Sequence, residues 1–252
     1  DIELHIYYPA DTAGDNVPVS DGVFPVIVFG HGFLIGYSNY DFLWSALAPD
    51  GYIVVLPTTE GGISPDHEAL GLDLAFLVEE MQSLNTTSGS PFFTHVAPDT
   101  AIMGHSMGGG ACFLGAADST IATALSNFSA AETNPSAISA AAGIDLPTLM
   151  FTGTEDCVTP PEDHQIPMYD ALISDCKTLV RITGGSHCQF ASNNGTCRIG
   201  EVFAGCSATI PLETQETITL GLLQSWLDYV LRGNISSWTT FQTILDAGVT
   251  AG

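Results

Sequence analysis

Short runs of apolar and β-branched residues recur along the chain at positions 24–29 (FPVIVF), 52–56 (YIVVL), 100–103 (TAIM), 148–151 (TLMF) and 178–182 (TLVRI). Each is bounded by Gly, Pro, Asp or Thr and lacks the polar alternation of a half-solvated strand, so each reads as a fully buried parallel strand. Residues 4–8 read as an edge strand entering the sheet, and 121–128 as a weaker strand. Helix-compatible stretches lie between them at 40–47, 66–84, 107–117, 165–174 and 213–231. The second carries Leu70, Leu74, Leu77, Val78 and Met81 at the three-to-four spacing of one buried helix face. Strands alternating with helices predict an α/β fold, a mostly parallel twisted sheet with helices on both faces. No internal repeat and no Pro/Ser linker divides the chain, so one domain over residues 1–252 is expected. Residues 127–145 and the polar, Cys-studded stretch after His187 read as loops, and as walls of a site.

Composition narrows the function classes. Apolar residues make up 45% of 252, enough for a large core, while no run reaches the roughly 18 uninterrupted apolar residues of a membrane span. The 28 acidic residues are ordinary for this length; the scarcity is in bases, of which there are 4, leaving a net charge of −24. Such a field repels phosphates, which excludes nucleic acid and anionic membranes as partners and favours neutral substrates. Cys112, Cys157, Cys176, Cys188, Cys197 and Cys206 are many for a cytosolic chain. They form neither a CxxC pair nor a Cys/His cluster with zinc spacing, so disulfides and export are expected rather than a metal site. Cys112 falls in an apolar stretch and reads as buried. The chain opens at Asp1-Ile2-Glu3 without a charged n-region and apolar h-region, which we read as the mature form after removal of an export signal. Asn-x-Ser/Thr sequons begin at Asn85, Asn127, Asn194 and Asn234.

The candidate chemistry lies at the ends of strands. Gly104-His105-Ser106-Met107-Gly108 fits G-x-S-x-G, with an apolar strand running in and a small-residue helix running out. Such a turn must be sharp and strained to lift a serine hydroxyl clear of the sheet, and glycines on either side give the backbone room. A serine hydroxyl is a poor nucleophile until a base takes its proton. Asp156 follows the strand at 148–151, and His187 follows the strand at 178–182. The order Ser106, Asp156, His187 is the one this elbow requires. Both partners sit beyond the carboxyl ends of parallel strands, where sites gather in open α/β sheets. In this reading Ser106 attacks, His187 shuttles the proton, and Asp156 fixes the imidazole tautomer; Glu155 is the rival for the acid. An oxyanion would be held by the amides of Met107, next to the nucleophile, and Phe33, in the Gly30-His31-Gly32-Phe33 turn after the first parallel strand. His105 is expected to pack beside the nucleophile and is grouped with Phe33 and Met107 as substrate-binding. His5, His67, His95 and His164 have no serine–carboxylate constellation near them in sequence and read as structural or surface residues.

The motifs HGF (31–33), GHSMGGG (104–110), PTLMFTGTEDCVTP (147–160), IPMYDAL (166–172) and GGSHC (184–188) resemble those of the α/β-hydrolase superfamily. Within it they look like the bacterial cutinase-like polyester hydrolases, including the poly(ethylene terephthalate) hydrolases and their dienelactone-hydrolase-like relatives. The resemblance runs from Phe24 to about Ser192. It implies the α/β-hydrolase fold without a lid domain, a fairly open cleft, no cofactor, secretion, and an acyl pocket lined by Phe33 and Met107. It implies an ester or polyester as substrate, and a monomer is expected. The chain departs from those enzymes in two places. Where they usually place a stacking tryptophan, residues 129–135 hold no aromatic; Trp44, Trp226 and Trp238 lie in helices or the tail. Cys157 follows the acid and Cys188 the base, so bridges could pin both loops; Cys157–Cys176 is the first pairing expected, with bridges among Cys188, Cys197 and Cys206 open. Besides polyester hydrolysis, two alternatives stand: an esterase of small esters or acyl lipids, and a non-catalytic binding protein of the same fold.

Overall fold

The computed structural model describes residues 2–192 and 195–249. In chain order it holds β1 (Leu4–Tyr7), β2 (Phe24–Gly30), α1 (Asp41–Leu47), β3 (Ile53–Pro57), α2 (His67–Thr86), β4 (Val96–His105) and α3 (Met107–Asp118). There follow β5 (Ala124–Phe128), α4 (Ala137–Ala141), β6 (Thr148–Gly153), α5 (Gln165–Ala171), β7 (Lys177–Ile182), α6 (Gly195–Ala204), α7 (Leu212–Arg232) and α8 (Ile235–Val249). The strands form one sheet in the order β1-β3-β2-β4-β5-β6-β7. Only β1 pairs antiparallel, with β3; the other pairs are parallel. This is the α/β-hydrolase architecture, and among the described residues no lid domain interrupts it.

The uninterrupted apolar runs have a direct structural meaning: alternate residues feed two different cores. Val26, Val28, Ile53 and Val55 face a cluster completed by α2, α3, α4 and α5. Their neighbours Ile27, Phe29, Val54 and Leu56 face a second cluster closed by α1, α7 and α8. A strand with two dry faces cannot alternate in polarity. The exception is β7, an edge strand that is only half buried; Arg181 within it is exposed and pairs with Glu162 at 3.1 Å.

Helix ends follow local chemistry. Asp66 caps α2 by accepting from the amides of Glu68 (3.0 Å) and Ala69 (3.1 Å). At the other extreme, α7 ends at Gly233, whose φ of 67° is the left-handed cap that glycine adopts without a Cβ clash. Three helices arise where loops or an unassigned tail are expected. α4 and α6 are short and rich in small residues, and Ser and Thr make up 5 of the 15 residues of α8. α8 docks through Phe241, fully buried, and Trp238, which stacks between Tyr229 (4.9 Å) and Phe241 (5.3 Å).

Of the four bases, Lys177, Arg181 and Arg232 are held by defined partners. Arg232 donates to the carbonyls of Asp50 and Gly51 at 2.7 Å each, pairs with Asp228 at 2.8 Å, and lies 3.9 Å above the Tyr52 ring. It therefore ties the end of α7 to the turn between α1 and β3. Arg232→Ala should lower stability by about 1–2 kcal/mol, a fall of roughly 2–8 °C in Tm for a chain of this size. Calorimetry on the purified variant measures it.

Candidate active site

β4 ends at His105 and α3 begins at Met107, so Ser106 alone makes the turn. Its backbone has φ 55° and ψ −120°, a region a residue with a side chain occupies only when its surroundings impose it. The surroundings do so through main-chain hydrogen bonds: the Ser106 amide donates to Phe128 (3.0 Å), and its carbonyl accepts from Gly110 (3.0 Å) and Ala131 (2.8 Å). The motif glycines are required by contact. A side chain at Gly104 would run into the carbonyl of Gly108, and one at Gly108 would run into Gly30 and the carbonyl of His31. α3 thus sits directly against the end of β2, with the Gly108 amide donating to His31 at 3.1 Å.

Two further loops converge on Ser106. His187 Nε2 lies 2.9 Å from Ser106 Oγ, and His187 Nδ1 lies 3.0 Å from Asp156 Oδ2. The other Asp156 oxygen accepts from the amides of Val158 (3.0 Å) and Thr159 (2.8 Å). Burial works against the Asp156 charge, but the facing imidazole and the hydrogen bonds from His187 and the Thr159 amide outweigh it and hold the carboxyl below the usual carboxylate range. With Asp156 an ionised acceptor, Nδ1 carries the imidazole proton and Nε2 presents a lone pair to the serine. Ser106 is 8% exposed, while Asp156 and His187 are buried. The neighbouring Glu155 accepts only from Thr154, at 3.2 Å, and takes no part in this relay.

The turn after β2 lies beside the serine: a Cβ built on Gly32 would stand 3.3 Å from the Ser106 Cβ. Phe33, next along, is 46% exposed. The Met107 amide opens α3, where no carbonyl lies a turn earlier to receive it; its side chain is buried in the cluster on the α3 side of the sheet. His105 does not line a cleft, contrary to its grouping with the substrate-binding residues. It is fully buried, which lowers its pKa well below the usual imidazole value, with the neighbouring His187 acting the same way. A neutral His105 donates from Nε2 to the His187 carbonyl (3.2 Å) and accepts at Nδ1 from the Tyr40 hydroxyl (3.1 Å). That hydroxyl in turn accepts the Gly32 amide at 2.8 Å. The chain Gly32–Tyr40–His105–His187 is thus a strut between the turn after β2 and the histidine loop. Tyr40 has no sequence signal; only the fold brings it there.

A family model described as PET hydrolase-like matches residues 4–205. The chain belongs to that family. As a PET hydrolase-like protein it is an ester hydrolase, and its matched span contains Ser106, Asp156, His187 and the strut.

Two disulfides join the loops of the site in this PET hydrolase-like chain. Cys157 pairs with Cys206 and Cys188 with Cys197, at Cα separations of 6.1 and 5.7 Å. The expected Cys157–Cys176 bridge does not form, and Cys176 is free. Cys157 follows the carboxyl end of β6, whereas Cys176 precedes the amino end of the parallel neighbour β7. The two lie a full strand apart, about 20 Å for six residues, against the roughly 7 Å a disulfide spans. Both bridges lead to α6 and the turn after it, so the loops behind Asp156 and His187 share one anchor. The Glu201 carboxylate adds a third tie by accepting the Cys188 amide at 2.8 Å. The outward side of α6 is apolar, with Ile199, Val202 and Phe203 exposed, the last at 87%. Its single carboxylate, Glu201, is buried, and Arg198 is its exposed charge.

Cys112 is buried and free, as its apolar setting implies. Of the sequons, Asn127 is fully buried in β5 and closed to a glycan, while Asn194 lies outside the described residues. Non-reducing peptide mapping should return the 157–206 and 188–197 linkages, with alkylation of the native chain confined to Cys176. Tyr40→Phe, which removes the middle of the strut and leaves the buried Gly32 amide and His105 Nδ1 unmatched, should cost about 1–3 kcal/mol of stability and cut kcat about tenfold, as read by thermal melts and ester turnover.

Proposed function

We propose that this chain is a secreted serine carboxylic-ester hydrolase that works as a monomeric, single catalytic domain with Ser106, His187 and Asp156 as its triad. The carrying observation is the relay itself, 2.9 Å from serine to imidazole and 3.0 Å from imidazole to carboxylate. Ser106 Oγ attacks the ester carbonyl carbon as its proton passes to His187 Nε2, and the carbonyl oxygen becomes an oxyanion facing the Phe33 and Met107 amides. The C–O bond to the alcohol breaks, and His187 returns its proton to the departing oxygen. Water then gives a proton to His187 and attacks the acyl-enzyme, releasing the acid and restoring Ser106. No step calls for a cofactor or metal.

The substrate we favour is a neutral polyester, aliphatic or terephthalate. Exposed Phe33, Leu34 and Val158 on the loops beside the relay, with the apolar side of α6, favour it, and the net charge of −24 disfavours acids. Small esters are the second reading, favoured by the absence of an aromatic in residues 129–135. Two disulfides at the site suit an oxidising, extracellular setting.

A fluorophosphonate probe should label the native chain and not Ser106→Ala, whose turnover of p-nitrophenyl butyrate should fall by at least about 10³-fold. An unlabelled native chain would mark a binding protein instead. Product release from polycaprolactone film and PET powder, set against tributyrin turnover, separates the two substrate readings. Because Asp156 is held below the usual carboxylate range, it stays ionised as the pH falls and adds no proton of its own to the acid limb. The acid limb of kcat/KM should therefore show a slope of about one; a slope of two would mean that Asp156 titrates there as well.

A further inference from the structure

The relay has a neighbour that the three-residue scheme leaves unused. Thr159 Oγ1 is buried and lies 3.0 Å from Asp156 Oδ2, 3.0 Å from His187 Nδ1, 3.1 Å from the Ser129 carbonyl and 3.2 Å from Gln165 Nε2. A hydroxyl owns one proton and two lone pairs, so these four contacts constrain one another. The Gln165 amide is fixed in orientation, since its nitrogen also donates to the Ala130 carbonyl (2.6 Å) and its oxygen accepts from Thr152 (2.9 Å). The second amide hydrogen of Gln165 faces one lone pair of Thr159 Oγ1 and is shared with the Thr159 carbonyl, 3.3 Å away. Two acceptor-only groups, the Asp156 carboxylate and the Ser129 carbonyl, compete for the single proton. The remaining lone pair lies within reach of the Nδ1–H of His187.

We propose that Thr159 is a positioning residue for ester hydrolysis, its hydroxyl turning from Asp156 to the Ser129 carbonyl when His187 takes the serine proton, so that Asp156 Oδ2 and Thr159 Oγ1 both accept from Nδ1–H. With His187 neutral, the hydroxyl proton supports the buried carboxylate. With His187 charged, that same proton would compete for the oxygen the imidazolium needs, and a rotation about one side-chain bond removes the competition. No bond is made or broken and no proton leaves Thr159. The other ionisable groups around His187 are Asp156 on the β6 loop, His105 at the end of β4, His164 before α5 and Glu201 on α6. His105 bonds the His187 carbonyl and packs its ring 4.7 Å from the His187 ring, and Glu201 bonds the Cys188 amide.

This inference rests on the serine-esterase reading, and its test keeps the two apart. Thr159→Val keeps the shape and removes the hydroxyl; Thr159→Ala removes it without bulk; Thr159→Ser keeps it. Steady-state kinetics on p-nitrophenyl butyrate from pH 4 to 9 should show kcat about tenfold lower in Thr159→Val and Thr159→Ala with KM nearly unchanged. The acid limb should move to lower pH, because the imidazolium has lost an acceptor. Thr159→Ser should recover most of both. A fall in kcat with an unmoved acid limb would reduce Thr159 to a packing role and overturn the proposal. A limb moving to higher pH would do so too, since Thr159 would then act only as a donor to Asp156. Ser106→Ala and His187→Ala run alongside: full turnover in either removes the serine-esterase reading and the proposal together. Inactive controls with an unshifted Thr159→Val profile remove the proposal alone.

Discussion

One backbone conformation governs this molecule: the positive φ of Ser106, held between the last residue of β4 and the first of α3. Main-chain hydrogen bonds to the Phe128 carbonyl and from the Gly110 and Ala131 amides hold that conformation, and Gly30, Gly104 and Gly108 make the room for it. Because α3 must approach the end of β2 so closely, the turn carrying Phe33 is brought beside the serine as well. The strain is localised in one residue and opposed by an entire sheet, which is how a marginally stable chain can maintain it.

The partners of Ser106 depend on weaker devices. His187 and Asp156 stand on loops after β7 and β6, where main-chain bonds such as Thr154 to Ile182 (3.0 Å) and Glu155 to Gly185 (2.9 Å) tie the loops to each other but do not fix the side chains. The structure supplies three substitutes: the Tyr40–His105 strut, the Gln165–Thr159 network, and two disulfides running to α6. The strut acts on the histidine loop, the Gln165–Thr159 network on the Asp156 loop, and the disulfides on both. The polar networks are almost entirely dry, where hydrogen bonds are strong and an unmatched group is costly, so they set geometry more sharply than surface contacts would.

Much of this could be read from the residues, for physical reasons. Runs such as FPVIVF reveal β2 because both faces of that strand are buried, and the GHSMG elbow is legible because its glycines answer to backbone collisions. β7 reads as buried from TLVRI until Arg181 is placed at the edge, where its charge reaches Glu162. The cysteine pairing was not legible, since strand direction alone does not say where α6 will lie. α8 was hidden because its Ser and Thr are poor helix formers and its hold on α7 comes from Trp238 and Phe241. His105 reads as a substrate contact only while Tyr40 is out of view; the partner that buries it lies 65 positions away in the chain.

The covalent anchoring of α6 has a colloidal consequence. A greasy helix fastened by two bridges cannot fold away, so the molecule displays Phe203 and its neighbours permanently. The net charge of −24 makes any two copies repel, a long-range force that ions weaken. At about 1 M salt, where the screening length shrinks to roughly 3 Å, that repulsion acts only at contact, and the exposed apolar side of α6 meets its neighbours with little charge to hold them off.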